Sequence, residues 1–174
     1  FLFEPFAETT EYRTVNGTIV RAWIESMLGK GTKEVGRLLD IATGVGTMVQ
    51  LFLENLPKQW YQPTVLCLDQ SEEVLQQAKA SLETKVENLE LVLSRAEDLK
   101  LPANSVDVAI WGNGIHYLAS EGQEKALRAI KKVLKKDGWL CFNSAFYAES
   151  RPPETLAFHR AQVKYAYPFV LEQG

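Results

Sequence analysis

From about residue 17 the chain alternates between two patterns. Short apolar runs, with no polar residue at every second place, are separated by longer stretches whose apolar residues recur at helical spacing. A strand that is apolar on both faces needs cover on both sides, and interleaved helices supply it. The pattern therefore implies an α/β fold, a doubly wound and mainly parallel sheet. Five runs read as strands: Arg37–Ala42, Thr64–Asp69, Leu89–Leu93, Val106–Ile110 and Trp139–Phe142. Ile19, Val20, Trp23, Ile24, Met27 and Leu28 stripe a first helix, ended by Gly29-Lys30-Gly31. Met48, Leu51, Phe52 and Leu56 stripe a second, stopped by Pro57. Ser71 is placed to cap a third, which carries Val74, Leu75, Ala78 and Leu82. A fourth, striped by Ala126, Leu127, Ile130, Val133 and Leu134, is expected to run up to the Asp137-Gly138 turn.

Size and charge narrow the function. A chain of 174 residues suits one domain with a full core. Its 22 acidic and 19 basic residues give a net charge of −3, which argues against nucleic acid as a partner. Lys131, Lys132, Lys135 and Lys136, in the expected last turns of the fourth helix, complement its dipole and read as a solvated face. No apolar run approaches the roughly 18 residues of a membrane span, and the start does not resemble a signal peptide. Cys67 and Cys141 match no disulfide or metal framework, so no metal and a cytoplasmic setting are expected. Within a single 1–174 domain, residues 1–30 read as a cap-helix region, 37–146 as the core and 147–174 as a lid helix and tail. Of 18 aromatic residues, four lie in 1–12 and seven in 142–174. They either pack on the sheet or wall a pocket for an apolar or ring-bearing ligand. Phe1 is not an initiator residue, so the ends are expected to be cut.

Open parallel sheets bind ligands at the carboxyl ends of their strands, near the switch in strand order. The loop after the first strand is Asp40-Ile41-Ala42-Thr43-Gly44-Val45-Gly46-Thr47, whose glycines let the backbone approach a ligand. Asp69, at the tip of the second strand and 23 residues beyond Gly46, suits a carboxylate accepting both hydroxyls of a ribose. It could alternatively cap the helix that starts near Ser71. A dinucleotide fingerprint wants glycine three places after Gly46, where this chain has Val49. Neither a P-loop nor a Tyr-x-x-x-Lys pair is present, which opposes a nucleotide-cofactor oxidoreductase.

These residues resemble the class I S-adenosylmethionine-dependent methyltransferases, in the small-molecule, type 11-like branch. Leu38 to Gly46 is similar to the first motif, with Ala42 where the first of three glycines is commonest. Val65 to Asp69 resembles the second-strand motif. Arg95 to Pro102 with Asn104 to Val108 resembles the stretch entering strand four, and Leu134 to Leu140 the turn into strand five. The resemblance spans Arg37 to Phe146, 110 residues. It implies a Rossmann-like sheet of order 3-2-1-4-5, with the usual strands 6 and 7 expected to be missing. It also implies S-adenosyl-L-methionine as cofactor and S-adenosyl-L-homocysteine as product. By position, Asp40 and the loop Ala42, Thr43, Gly44 and Gly46 would face the methionine end, and Asp69 with Gln70 the ribose. Ala96 and Glu97 would meet adenine, although Arg95 stands where relatives often have an acid. Trp111 and Gly112 would lie beside the amino group and the methyl-bearing sulfur.

Methyl transfer from a sulfonium needs a base only when the acceptor must lose a proton. After strand four, Trp111-Gly112-Asn113-Gly114-Ile115-His116-Tyr117 offers His116 as that base and Tyr117 to orient the acceptor, though either could serve packing. His159 in the tail is a weaker candidate. The segment lacks the Asn/Asp-Pro-Pro-aromatic pattern of base-modifying relatives. It also lacks the carboxylates of aminopropyl transferases and metal-dependent catechol enzymes. The expected function is methyl transfer to a small molecule, with oxygen the first-placed acceptor, then nitrogen or carbon. A non-catalytic cofactor-binding module is the other alternative.

Overall fold

The computed structural model describes residues 9–144. The lid helix and tail assigned to 147–174, and His159 with them, lie outside the described residues. Helix α1, Thr10–Gly29, is followed by β1, Arg37–Ile41, and α2, Thr47–Glu54. Strand β2, Thr64–Asp69, leads to α3, Glu72–Leu82, and β3, Leu89–Leu93. Strand β4, Val106–Gly112, α4, Ser120–Val133, and β5, Leu134–Asn143, complete the order. Short 3-10 turns occupy Ala96–Asp98 and Ile115–Tyr117. The strands form one parallel sheet in the expected order, β3-β2-β1-β4-β5.

Strand alternation divides the core into two layers. Leu38, Val65, Cys67, Val108 and Ile110 face one side, where Val20, Ile24 and Met27 of α1, Phe52 of α2 and Leu75 and Leu82 of α3 cover them. Leu39, Ile41, Leu66, Leu68, Ala109 and Trp111 face the other, beneath Ala126, Ile130 and Val133 of α4. Both cysteines are free and buried, and burial first of all pushes each thiol up to about 12. At the amino ends of the strands, Asp107 Oδ2 accepts the Gly36 and Arg37 amides while Oδ1 pairs with Lys135 at 2.7 Å. That carboxylate fastens β1, β4 and β5 together at the edge away from the glycine-rich loop.

Three helix boundaries differ from expectation, and among the strands β1 stops one residue short at Ile41, β4 runs on to Gly112 and β5 extends over Leu134–Asn143. Helix α1 begins at Thr10, earlier than the apolar stripe suggests, because the Thr9 hydroxyl accepts the Tyr12 amide and the buried Asn16 continues the stripe. Leu28, counted in that stripe, is exposed. Helix α2 ends at Glu54, so Leu56 lies beyond it. Helix α4 ends at Val133, and Leu134 already pairs with Val106 in the sheet. The next matched pair is Val108 with Trp139, so β5 uses five steps where β4 uses two. The surplus loops out at Gly138, where a Cβ would lie 3.0 Å from the Lys135 carbonyl oxygen. Lys135 and Lys136 are therefore on β5 and not on the helix, although all four lysines of the cluster are exposed.

Candidate functional site

The loops that follow β1, β2 and β4 meet at the carboxyl edge of the sheet, where the chain switches from β1 to β4 as neighbours. The β1 loop is built from left-handed residues: Ala42 at φ 54°, Gly44 at 55° and Gly46 at 82°. Only glycine adopts that conformation without strain, so Ala42 carries a cost that tight anchoring must offset. The anchors are backbone bonds, Thr43 N–H to Leu68 O at 3.0 Å and Gly46 N–H to Thr43 O at 3.0 Å. Gly46 also begins α2 and abuts α3: a Cβ there would lie 2.6 Å from Leu82 Cδ1.

Two carboxylates flank this loop. Asp40 is 1% exposed and lies in register between Cys67 and Ile110, both apolar neighbours. Its carboxyl is held at about 7: burial raises it most, the Thr43 hydroxyl bond at 2.7 Å pulls it partly back, and the nearby Asp69 charge adds to the rise. Asp69 closes β2 and accepts two loop amides, Ser71 N–H at 3.1 Å and Gly44 N–H at 3.4 Å. Ser71 itself caps α3 through the Val74 amide. Asp69 thus ties the glycine loop to the end of β2, and a carboxylate with about four lone-pair sites retains capacity for further donors. Gln70 beside it is exposed.

Beyond β3, Ala96 and Glu97 lie in a 3-10 turn. Glu97 Oε1 pairs with Arg95 at 2.8 Å, so the residue that departs from the usual acid holds the expected adenine-side carboxylate. Burial raises the Glu97 carboxyl, but the Arg95 bond and charge outweigh it and the net shift is downward. At the end of β4, Trp111 and Gly112 point to opposite faces. Gly112 gives room to α2, since a Cβ there would lie 2.6 Å from Met48 Cγ, while the Trp111 ring is buried against the α4 layer. His116 and Tyr117 follow in the second 3-10 turn. His116 Nδ1 lies 2.8 Å from Ser144 Oγ, and the imidazole lies 4.3 Å from the Tyr117 ring. Tyr117 is 78% exposed. Partial burial holds the His116 pKa below its ordinary value.

One cluster at this edge is not singled out by the sequence reading. Asn113, at φ 54°, donates from Nδ2 to the Tyr12 hydroxyl at 3.3 Å, and its amide is accepted by Asn143. Asn143 Nδ2 donates to Asn16 Oδ1 at 3.0 Å, and Asn16 donates to the Tyr12 carbonyl. These bonds tie α1 to the ends of β4 and β5. Burial raises the Tyr12 phenol, the Asn113 bond lowers it, and the charge of Asp40 adds to the rise. The local signal was Asn16, a polar residue four places before Val20 on the helix's apolar stripe.

A family model described as a methyltransferase domain matches residues 39–142. An uncharacterized methyltransferase of Schizosaccharomyces pombe is 27% identical over 119 residues, 67% of this chain and 42% of that protein. The chain thus spans less than half the length of this curated relative. Among solved structures, a SAM-dependent methyltransferase from Aquifex aeolicus aligns with TM-score 0.56 and 22% identity, covering 80% of this chain and 79% of that one. A Haemonchus contortus phosphoethanolamine N-methyltransferase, in complex with phosphoethanolamine and S-adenosylhomocysteine, aligns with TM-score 0.58 and 18% identity. It covers 80% of this chain and 28% of that one. These two likenesses establish the shared fold. Among the described residues, no helix is long and apolar enough to cross a membrane.

Proposed function

The chain belongs to the methyltransferase domain family, and from that premise we propose that it transfers a methyl group from S-adenosylmethionine to a small-molecule acceptor. The observation that carries this reading is Asp69 at the tip of β2, bonded to the amide of Gly44 across the left-handed β1 loop. A carboxylate and a close-approaching backbone at the strand switch suit a ribose and the chain attached to it. Asp40, buried beside them, offers a partner for an ammonium group. Ala96 and Glu97 are assigned to the adenine side, with the backbone of Trp111 and Gly112 near the methionine end.

When bound, the cofactor supplies a methyl carried on a positive sulfur. The chain's own residues hold, align and dehydrate the reactants. Well-aligned reactants are worth about 7–11 kcal/mol of barrier. His116 is the assigned general base: its lowered pKa keeps the imidazole neutral at pH 7, and Ser144 fixes one ring nitrogen. Tyr117, exposed beside that ring, is assigned to orient the acceptor. Oxygen comes first among acceptors because a hydroxyl must lose a proton, and His116 is the residue assigned to take it. A small acceptor is favoured by the phosphoethanolamine held by the Haemonchus contortus relative.

Calorimetry with S-adenosylmethionine and S-adenosylhomocysteine tests the reading. Both should bind, and Asp69→Ala should weaken them by about 1.5–3 kcal/mol, the worth of charge-assisted hydrogen bonds. Absence of binding by the wild-type chain overturns the cofactor, and unchanged affinity in the variant overturns its placement.

A further inference from the structure

Trp111 is 1% exposed, yet its indole Nε1 has no hydrogen-bond partner among the described residues. Trp139, by contrast, donates to Thr32 Oγ1 at 3.3 Å. A buried donor without an acceptor is costly, and native chains keep few of them. The place of this one is informative. A Cβ built on Gly114 would collide with the indole Nε1 and lie 3.2 Å from the Cβ of Ala42. The N–H edge therefore lies against Gly114, at the seam between the β1 loop and the loop after β4. Gly114 has an ordinary φ of −106°, so its turn does not require glycine; the room beside the indole does.

We propose that Trp111 is a ligand-binding donor, whose indole N–H hydrogen-bonds an oxygen or nitrogen acceptor of the cofactor at this seam. The inference rests on the cofactor reading above and assigns the Trp111 side chain a task separate from its backbone. An indole N–H cannot serve an ammonium, which has no lone pair to accept it, and the positive charge of a sulfonium repels the donor. Its partner is therefore either the carboxylate or an acceptor atom of the nucleoside.

The test follows the indole N–H resonances of uniformly nitrogen-15-labelled protein by NMR, with Trp111→Phe identifying the Trp111 signal. S-adenosylhomocysteine should move that signal downfield, while the Trp139 signal stays in place. Trp111→Phe should weaken S-adenosylhomocysteine binding about 5- to 10-fold, the worth of one net hydrogen bond. Methylthioadenosine, which lacks the amino-acid portion, locates the acceptor. A shift with both compounds assigns it to the nucleoside, and a shift with S-adenosylhomocysteine alone assigns it to the carboxylate. If calorimetry shows S-adenosylhomocysteine bound to the wild type but the Trp111 signal does not move, this inference fails while the cofactor reading stands. If the wild type binds neither compound, the cofactor reading fails first.

Discussion

Asp40 gives the sharpest test of the site's electrostatics, because its environment reverses the usual behaviour of an aspartate. Its carboxyl is held at about 7 against an ordinary 3.8, chiefly by burial. Below pH 3.8 the group is protonated in both folded and unfolded chains, and it contributes nothing to pH dependence. Between 3.8 and about 7 the unfolded chain releases the proton and the folded chain keeps it, so stability falls as pH rises. Each unit is worth 1.36 kcal/mol, so the full cost is roughly 4 kcal/mol and is complete above about pH 7. That is a large share of a typical domain stability of about 5–15 kcal/mol.

Asp40→Asn removes the titration while keeping an oxygen for the Thr43 hydroxyl, which now reaches Asp40 Oδ2 at 2.7 Å. The new amide nitrogen adds a penalty, but one that does not vary with pH. The measurement is therefore the difference in urea unfolding free energy between variant and wild type, followed from pH 5 to pH 8. It should shift in favour of the variant by about 3 kcal/mol over that interval, two pH units at 1.36 kcal/mol each, and level off near pH 7. Parallel pH curves for the two proteins would refute the reasoning, because a carboxyl that is already ionised at pH 5 cannot produce the divergence. The carboxylate is also the form that welcomes a cation. S-adenosylhomocysteine, which carries an ammonium, should accordingly raise the wild-type Tm more at pH 8 than it raises the variant's.

Gly46→Ala should cost about 2–5 kcal/mol in urea unfolding, from a left-handed alanine and the contact with Leu82. In a Leu82→Ala background, itself destabilised by the lost core leucine, the same glycine substitution should cost less by the contact part, and full wild-type stability in the single variant would refute the packing. His116→Gln should lower turnover by about 10²-fold or more with S-adenosylhomocysteine affinity unchanged. The wild-type acid limb should lie below pH 6.5, since burial depresses that imidazole, and activity should fall as pH drops through it. An acid limb above that value, or unaltered turnover in the variant, would return His116 to a packing role.

What the sequence revealed, and what it hid, follows from the range of each signal. The five strands rest on local apolar runs and were legible in them, whereas their order followed from the family resemblance. The glycine loop and Asp69 were legible too, because a left-handed turn and a strand-tip carboxylate leave marks within a few residues. The β5 bulge was hidden: Leu134 continues the helical stripe of α4, and only its pairing with Val106 makes it a strand residue. The Tyr12, Asn16, Asn113 and Asn143 cluster was hidden for a stronger reason. Its cross-links join residues 101 and 127 places apart, and no periodicity reports such a distance. Trp111 and Gly112 fall between these cases. Read as neighbours they take one role, yet strand alternation sends adjacent side chains to opposite faces. Val108 and Ile110 already place the even positions against the α1–α3 layer, so Gly112 had to face Met48 and Trp111 the other side. Parity alone thus sends the indole to the α4 layer and leaves Gly112 against α2.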